Sequence, residues 1–189
     1  MRFLWIDIGA AERHWFGTMK HIVTVALAAA LVPLLAPPLP VNAADSAKLL
    51  GKSGDWESFT YNEKGGKVCY MASQPKHSVG AAKGRDNVFF TITHRTADKS
   101  IGVVSVDAGF VYKKNAAAEL DAGGAKFDLY TTDKSAWARN DKAVVAALLK
   151  AKTVVVHGTP AKGDPVADTF SLDGFAKAYA DINKACDVK

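Results

Sequence analysis

Two of the residues of this chain that could act as nucleophiles are cysteines, Cys69 and Cys186. A thiolate enzyme needs a histidine base beside its cysteine, and the candidates in the same part of the chain are His77, His94 and His157. These residues lack the short paired spacings that zinc sites use, so we expect no metal. No local signature surrounds Cys69, and a hydrolase or thiol enzyme that uses Cys69 with His94 or His157 is therefore only an alternative hypothesis.

Charged residues suggest two other kinds of site. Asp164, Asp168 and Asp173 lie close together in sequence, but their spacing departs from the Asp-x-Asp-x-Asp-Gly pattern of calcium loops. Lys83-Gly84-Arg85 and Lys113-Lys114 could attract an anionic envelope component, although we expect them to be solvated loops. No glycine-rich segment has the form of a phosphate-binding motif. We therefore expect no catalytic residue and no cofactor.

The composition is typical of one globular domain. The chain has 189 residues, 49% of them hydrophobic, and a formal net charge of +5. These values exclude an intrinsically disordered chain and a collagen-like repeat. Because basic residues alternate with acidic residues instead of clustering, we expect no nucleic-acid partner.

The amino-terminal region has the pattern of an export signal. Met19-Lys20-His21 precedes an apolar run from Ile22 to Val32, and Val41 and Ala43 stand three and one residues before a candidate cleavage point. This order predicts a signal peptide that is cleaved after Ala43. The apolar run is too short for a transmembrane helix, so we expect no transmembrane segment in the mature chain.

The predicted signal peptide covers residues 19–43 and divides the chain into four parts. Residues 1–18 do not fit a signal peptide, and we interpret them as an extension from a misassigned start; an amphipathic helix at a membrane surface is the alternative. Residues 44–53 are polar and are predicted to be a flexible leader. Residues 54–189 are predicted to form a single β-sandwich domain.

Export gives the two cysteines a structural interpretation. Periplasmic and secreted proteins with an even number of cysteines usually hold them as disulfides, so we predict a Cys69–Cys186 bond. Such a bond would close most of the domain into one loop, worth about 4–5 kcal/mol in the chain-entropy description.

The mature chain has the pattern of an antiparallel, mainly β domain. Short runs of β-branched and aromatic residues alternate with turn residues. In one of these runs Val88, Phe90, Ile92 and His94 fall on a single face, which predicts a core-facing strand side. The predicted strands lie near Trp56–Tyr61, Val68–Ala72, Asn87–His94, Gly102–Val106, Ala125–Thr131 and Thr153–Gly158.

Two segments have a helical period instead. Asp141 to Lys152 places its apolar residues on one stripe. Gly174 to Cys186 does the same, and Cys186 lies on or beside the buried stripe of this last helix. The predicted disulfide would therefore hold the C-terminal helix against the strand that contains Cys69.

The C-terminal segment carries the most distinctive motif, which consists of Phe170, Ser171, Leu172, Gly174 and Phe175. This segment resembles the closing motif of the invasion-associated locus B family of proteobacterial exported proteins. The order Gly54-Asp55-Trp56, then Val68-Cys69-Tyr70-Met71, then Trp137 also resembles the family pattern. The similarity extends over about residues 54 to 187.

The resemblance implies an immunoglobulin-like antiparallel β-sandwich with two short helices, the last at the C-terminus. It also implies a periplasmic or surface location, no known catalytic activity and, in pathogenic relatives, a link to host-cell invasion. Family members often have a further cysteine pair near the first strands, which this chain lacks.

The closing motif also has a local structural interpretation. Asp173 or Ser171 is expected to cap the last helix, with Phe175 anchored in the core. Trp56 and Trp137 are expected to be core or core-edge aromatics, although an exposed Trp137 beside Arg139 would suit recognition of a partner.

The first hypothesis for function is a non-enzymatic, exported binding protein whose partner is an unknown protein or envelope component. The two alternatives to this hypothesis are the hydrolase or thiol enzyme described above and a structural envelope protein. An unpaired edge strand would also permit a homodimer.

Overall fold

The computed structural model describes residues 46–80 and 84–189. The predicted extension over residues 1–18, the signal peptide over residues 19–43 and Lys83 lie outside the described residues. The strands, in chain order, are β1 (Lys48–Ser53), β2 (Trp56–Glu63), β3 (Gly66–Ser73), β4 (His77–Val79), β5 (Phe89–Arg95), β6 (Ser100–Asp107), β7 (Ala118–Ala122), β8 (Ala125–Thr132), β9 (Ser135–Ala138), β10 (Thr153–Gly158) and β11 (Val166–Ser171). The helices are α1 (Asp141–Leu148) and α2 (Phe175–Ala185).

The described strands form one antiparallel sheet in the order β1-β2-β3-β5-β6-β9-β8-β7-β10-β11-β4. The two halves of this ladder face each other, because the ring of Phe90 in β5 packs edge-on against Phe170 in β11, with centroids 5.4 Å apart. The indole Nε1 of Trp56 in β2 also donates a hydrogen bond to the carbonyl of Ser171 at 3.0 Å. The predicted mainly β, antiparallel fold is confirmed. The ladder is continuous, and its two facing halves are compatible with a sandwich.

The inner face of the sheet follows the predicted alternation in β5. Phe90, Ile92 and His94 are fully buried, whereas Phe89 and Arg95 on the opposite face are exposed. Residues of β3 continue the same inner face, because Cys69 pairs with His94 and Met71 with Ile92 in the ladder. The core therefore lies between the two halves of the folded sheet.

All six predicted strands are present, and β1, β4, β7, β9 and β11 were not predicted. The prediction that residues 44–53 form a flexible leader is wrong from Lys48 onward, because Lys48–Ser53 pairs with β2 and lies against α2. Leu49 and Leu50 stay exposed in this edge strand. Backbone hydrogen bonds hold β1 in place without a row of buried side chains, and hydrophobic patterning could not have revealed it.

Both predicted helices are present. The Asn140 side chain caps α1 by accepting a hydrogen bond from the Ala143 N–H at 3.1 Å. The Asp141 carboxylate accepts another from the Val104 N–H of β6 at 2.9 Å. Val144 and Leu148 face the core as predicted, although α1 ends at Leu148 instead of extending to Lys152.

The expected cap of α2 by Asp173 or Ser171 is wrong. The residue at the cap position is Gly174, whose φ of 81° is left-handed, and no side chain caps the helix. The Ser171 hydroxyl instead accepts a hydrogen bond from the Asp173 N–H at 3.1 Å. A Cβ at position 174 would collide with the carbonyl of Ser53, so this close approach of two backbones requires glycine. Phe175 is buried as expected.

Candidate functional site

The two cysteines are bonded to each other. Cys69 in β3 and Cys186 at the end of α2 form a disulfide whose Cα atoms are 6.0 Å apart. Both residues are buried, Cys69 completely. Since these are the only cysteines of the chain, no thiolate is available while the bond is intact.

His94 lies beside the disulfide, directly across the ladder from Cys69. Its Nδ1 accepts a hydrogen bond from the Gly102 N–H at 2.8 Å, so Nε2 carries the proton and donates to Asn183 Oδ1 at 2.7 Å. Burial lowers the pKa of His94, and the Asn183 contact opposes this change. His94 thus connects β5, β6 and α2 as a neutral residue, and both ring nitrogens are already used.

The other two histidine candidates lie elsewhere. His77 is exposed in the short edge strand β4, and His157 is exposed in β10. Within residues 46–80 and 84–189, no group of three His, Cys, Asp or Glu side chains could hold a metal ion. The structure therefore brings only His94 together with Cys69, in an arrangement that leaves no free base or nucleophile.

Arg85, expected in a solvated loop, is instead buried against Asp168. The Arg85 Nη1 atom donates to Asp168 Oδ1 at 2.9 Å, and Nη2 donates to Oδ2. Arg85 Nε donates to the Ala108 carbonyl at 2.6 Å, and its guanidinium lies 5.1 Å from the ring centroid of Phe110. The Ser78 hydroxyl donates to Asp168 Oδ1 at 2.6 Å.

Asp168 and Arg85 are therefore paired with each other in a structural role. Asp168 is not free to bind a cation, and Arg85 is not free to attract an anionic envelope component. Burial, reinforced by the Asp168 charge, also raises the pKa of the neighbouring Tyr112. Asp164 and Asp173 are exposed and lie outside the network.

A cleft on the outer face of the sheet is the candidate binding site. Its volume is about 760 Å³, within the range of about 300–1,000 Å³ that ligand pockets occupy. We call it the aromatic cleft. Its floor is formed by Phe59, Tyr70, Ala72, Phe89 and Thr91, and its rim includes Lys52, Asp55, Glu57, Gln74, Lys76 and Asp107.

Strand register brings the floor together. Phe59 in β2 pairs with Tyr70 in β3, Ala72 in β3 pairs with Thr91 in β5, and Phe89 is two residues before Thr91. Since side chains two residues apart in a strand share a face, these residues all point away from the core. Three neighbouring strands therefore build the floor from their outward positions.

The floor rings support one another. Phe59 and Tyr70 are stacked with centroids 5.0 Å apart and planes 17° apart. Tyr61 contacts Tyr70 edge-on at 6.2 Å. Partial burial, followed by the nearby Tyr61, raises the pKa of the Tyr70 hydroxyl, which is therefore a neutral hydrogen-bonding group. Phe89 is 38% exposed.

Ion pairs fix the rim. Lys52 contacts Glu57 at 2.8 Å, and Lys76 contacts Asp55. The hydrogen bond from Lys76 is the main reason why the pKa of Asp55 is lowered. The Asp107 carboxylate accepts a hydrogen bond from the Gly109 N–H at 3.0 Å. The rim therefore offers charged but largely paired groups around an aromatic floor.

Trp137, expected at the core or its edge, lies half-buried on the same outer face. It pairs with Ser105 in β6 and with Tyr130 in β8. The Arg139 guanidinium lies 5.6 Å from the Tyr130 ring centroid. Arg139 is thus engaged by Tyr130, outside the aromatic cleft.

The aromatic cleft was missed at the level of sequence. The signal that could have revealed it is the reversed alternation in β2, where Phe59 and Tyr61 point outward while Ser58 and Thr60 point inward beside Trp56. Ser58 is fully buried and donates to the Gly51 carbonyl at 3.2 Å. A strand that served only the core would place its aromatic residues on the inner face.

Together, these features define a class of protein: a mainly β, antiparallel domain whose terminal helix is disulfide-bonded to the sheet and whose outer face carries an aromatic cleft. The family model described as invasion associated locus B (IalB) protein matches residues 56–183. The chain belongs to this family, which confirms the resemblance of the closing motif. The family is not known as an enzyme family.

A solved structure has the same fold. The crystal structure of invasion associated protein B from Bartonella henselae matches with a TM-score of 0.53 and 22% sequence identity, covering 71% of this chain and 96% of that chain. At this identity the match shows the fold alone. No curated protein matches the chain.

A disulfide of this kind fits an extracytoplasmic protein, because cytosolic thiols are usually kept reduced. Neither helix in the part of the chain that the structure describes is long and apolar enough to cross a membrane.

Proposed function

We propose that the chain is an exported, non-enzymatic binding protein of the bacterial envelope that contacts its partner through the aromatic cleft. The observation that carries the proposal is the outward placement of Phe59, Tyr70 and Phe89 around a cavity of about 760 Å³. Contiguous exposed apolar surface with a polar rim is characteristic of interaction sites. The order of residues 19–43 and the Cys69–Cys186 bond support export.

The absence of an available thiolate supports a binding role over the thiol-enzyme alternative. Cys69 is fully buried in its disulfide, and both nitrogens of His94 are occupied. A contribution to host-cell interaction is part of the proposal, and the name of the Bartonella henselae protein supports it. Such a contribution requires the aromatic cleft to be presented at the cell surface.

Export is tested by the intact mass of the protein recovered from the bacterial envelope after expression of the full gene. One sample is alkylated directly and another after reduction. We expect a chain that begins near Ala44 and takes no alkyl group before reduction and two afterwards. An uncleaved chain, or one alkylated without reduction, would overturn the export proposal.

Binding is tested by co-sedimentation of the recovered protein with envelope fragments over a range of concentrations. Tyr70→Ala removes a floor ring, and truncation of an aromatic anchor at an interface typically costs about 1–2 kcal/mol or more. We therefore expect the apparent Kd to rise about tenfold.

The matched control is Tyr130→Ala, which removes an exposed tyrosine from the same outer face but outside the aromatic cleft. We expect it to bind like the unmodified chain. Equal binding by Tyr70→Ala and Tyr130→Ala would show that the aromatic cleft is not the binding surface. Circular dichroism of each variant checks that the fold is retained.

A further inference from the structure

The floor of the aromatic cleft offers ring faces to a ligand. Phe59 and Tyr70 are stacked on each other, so one face of each is covered, and Phe89 in β5, the strand next to β3, is the most exposed ring of the three. An aromatic ring carries partial negative charge on its faces. Its natural partner is a flat array of weakly positive C–H groups, such as one side of a pyranose ring.

The rim offers hydrogen-bond donors and acceptors in alternation. The Lys52 and Lys76 ammonium groups donate, the carboxylates of Asp55, Glu57 and Asp107 accept, and the amide of Gln74 does both. Adjacent sugar hydroxyls can each donate and accept, so they match such a mixed rim. An all-apolar peptide segment would displace water from these groups without offering them hydrogen bonds.

The charge balance of the rim disfavours a polyanion. Lys52 is already engaged by Glu57 and Lys76 by Asp55, and Asp107 adds a further negative charge. A ligand rich in phosphate or sulfate would meet net repulsion here, because like charges that face each other across an interface are unfavourable. The rim therefore disfavours an anionic ligand, and an uncharged ligand meets no such repulsion.

The backbone of the floor excludes one common mode of peptide recognition. Each of β2, β3 and β5 has a neighbouring strand on both sides, so no extended peptide can add to the sheet at the aromatic cleft. A ligand on the floor must therefore contact side chains and not the strand backbone.

We propose that the aromatic cleft binds a neutral oligosaccharide segment of an envelope glycan, with pyranose rings stacked on Phe59, Tyr70 and Phe89 and hydroxyls hydrogen-bonded to the rim. This inference rests on the proposed binding function and names its ligand class. Phe89 is the ring best placed to stack, because its exposed face is not taken by another aromatic ring of the floor.

The test repeats the co-sedimentation with envelope fragments treated in two ways. Periodate cleaves the vicinal diols of sugars, whereas a broad-specificity protease removes exposed protein. We expect periodate to reduce the Tyr70-dependent binding at least tenfold and protease to leave it unchanged. Loss on protease treatment with retention after periodate would overturn the glycan assignment in favour of a protein partner while leaving the proposed binding function intact.

Substitution of Phe89 gives a second, independent readout. Phe89→Leu keeps an apolar side chain but removes the ring face, and Phe89→Trp restores an aromatic face. We expect binding to fall about fivefold or more in Phe89→Leu and to recover in Phe89→Trp. Equal binding by these two variants would show that the contact is merely apolar, which contradicts sugar stacking.

The two proposals can fail separately. If Tyr70→Ala and Tyr130→Ala bind untreated fragments equally, the proposed function of the aromatic cleft fails and the glycan inference fails with it. If Tyr70→Ala alone loses binding but periodate has no effect, only the glycan inference fails.

Discussion

The two faces of the sheet formed by β2, β3 and β5 both carry aromatic side chains, but in opposite states. On the inner face Trp56 and Phe90 are fully buried and contact each other edge-on, with centroids 5.7 Å apart. On the outer face Phe89 is 38% exposed. Burial of an aromatic side chain stabilises the fold, so the inner rings account for stability and the outer rings are available for binding.

Polar groups differ between the faces in the same way. Inside, His94 and Asp168 have specific hydrogen-bond partners from distant parts of the chain. Outside, the charged groups of the aromatic cleft form exposed ion pairs, which contribute little to stability. The inner face can therefore be tested by measuring the free energy of unfolding and the outer face by measuring binding, with little overlap between the two effects.

The sharpest test compares two consecutive phenylalanines of β5. Phe90→Ala removes a buried ring that contacts Trp56 and Phe170, so we expect the free energy of unfolding to fall by about 3–5 kcal/mol. Phe89→Ala removes the exposed neighbour, and we expect a loss below about 1 kcal/mol. Urea unfolding with the disulfide intact measures both.

A similar loss in Phe89→Ala and Phe90→Ala would contradict the division between the faces. The same two proteins also serve the co-sedimentation measurement. There the order reverses, because Phe89→Ala should weaken binding while Phe90→Ala, under conditions where it remains folded, should not.

The buried ion pair provides the next largest effect. Arg85→Met leaves the Asp168 carboxylate buried without its counter-ion, and breaking such a pair typically costs about 3–5 kcal/mol. Removing both charges in Arg85→Met/Asp168→Leu should recover most of that loss, since replacement of a buried pair by apolar residues is often close to neutral. Urea unfolding of the two variants gives the comparison.

If the double variant is as unstable as Arg85→Met, the charge pair is not the source of the loss. Packing of the Arg85 side chain against Phe110 would then be the main contribution.

The disulfide is expected to have a slightly smaller effect. Replacing Cys69 and Cys186 together by alanine should lower the free energy of unfolding by about 2–5 kcal/mol. Hydrogen exchange should rise first in α2, because the bond joins the end of this helix to β3. Uniform exchange across α2 and the central strands would show that the helix does not depend on the bond.

The inner face was far more predictable from the sequence than the outer face. Alternation in β5 identifies Phe90, Ile92 and His94 as inward residues, and the helical period places Cys186 beside the buried stripe of α2. Such periodicity reports burial directly. It carries no information about which outward side chains of different strands meet, and this depends on a register set by the whole sheet.

The strands that were missed have specific causes. β7 contains Ala118, Glu119 and Asp121, residue types that are poor in strands, and it is held by β8 and β10 on either side. β11 carries Asp168 at an inward position, which breaks the expected apolar alternation. Arg85 and Ser78, both far away in sequence, provide the hydrogen bonds that make that position acceptable, so local patterning could not have recovered the strand.

The smallest expected effect concerns pH and the inner face. Burial lowers the pKa of His94 below its ordinary value of 6.5. The unfolded chain therefore binds a proton as the pH falls through about 6.5 while the folded chain stays neutral, and stability falls from there toward the lower, folded pKa. One such proton gives a slope of at most about 1.4 kcal/mol per pH unit.

Urea unfolding between about pH 7.5 and 5 tests this, with His94→Gln and His157→Gln as the matched pair. His157 is exposed in β10, so its replacement should leave the slope unchanged, whereas His94→Gln should flatten it whatever its overall stability. An unchanged slope in His94→Gln would mean that burial does not keep the His94 ring neutral in the folded chain. A flattened slope would confirm that the buried His94 ring stays uncharged in the folded chain.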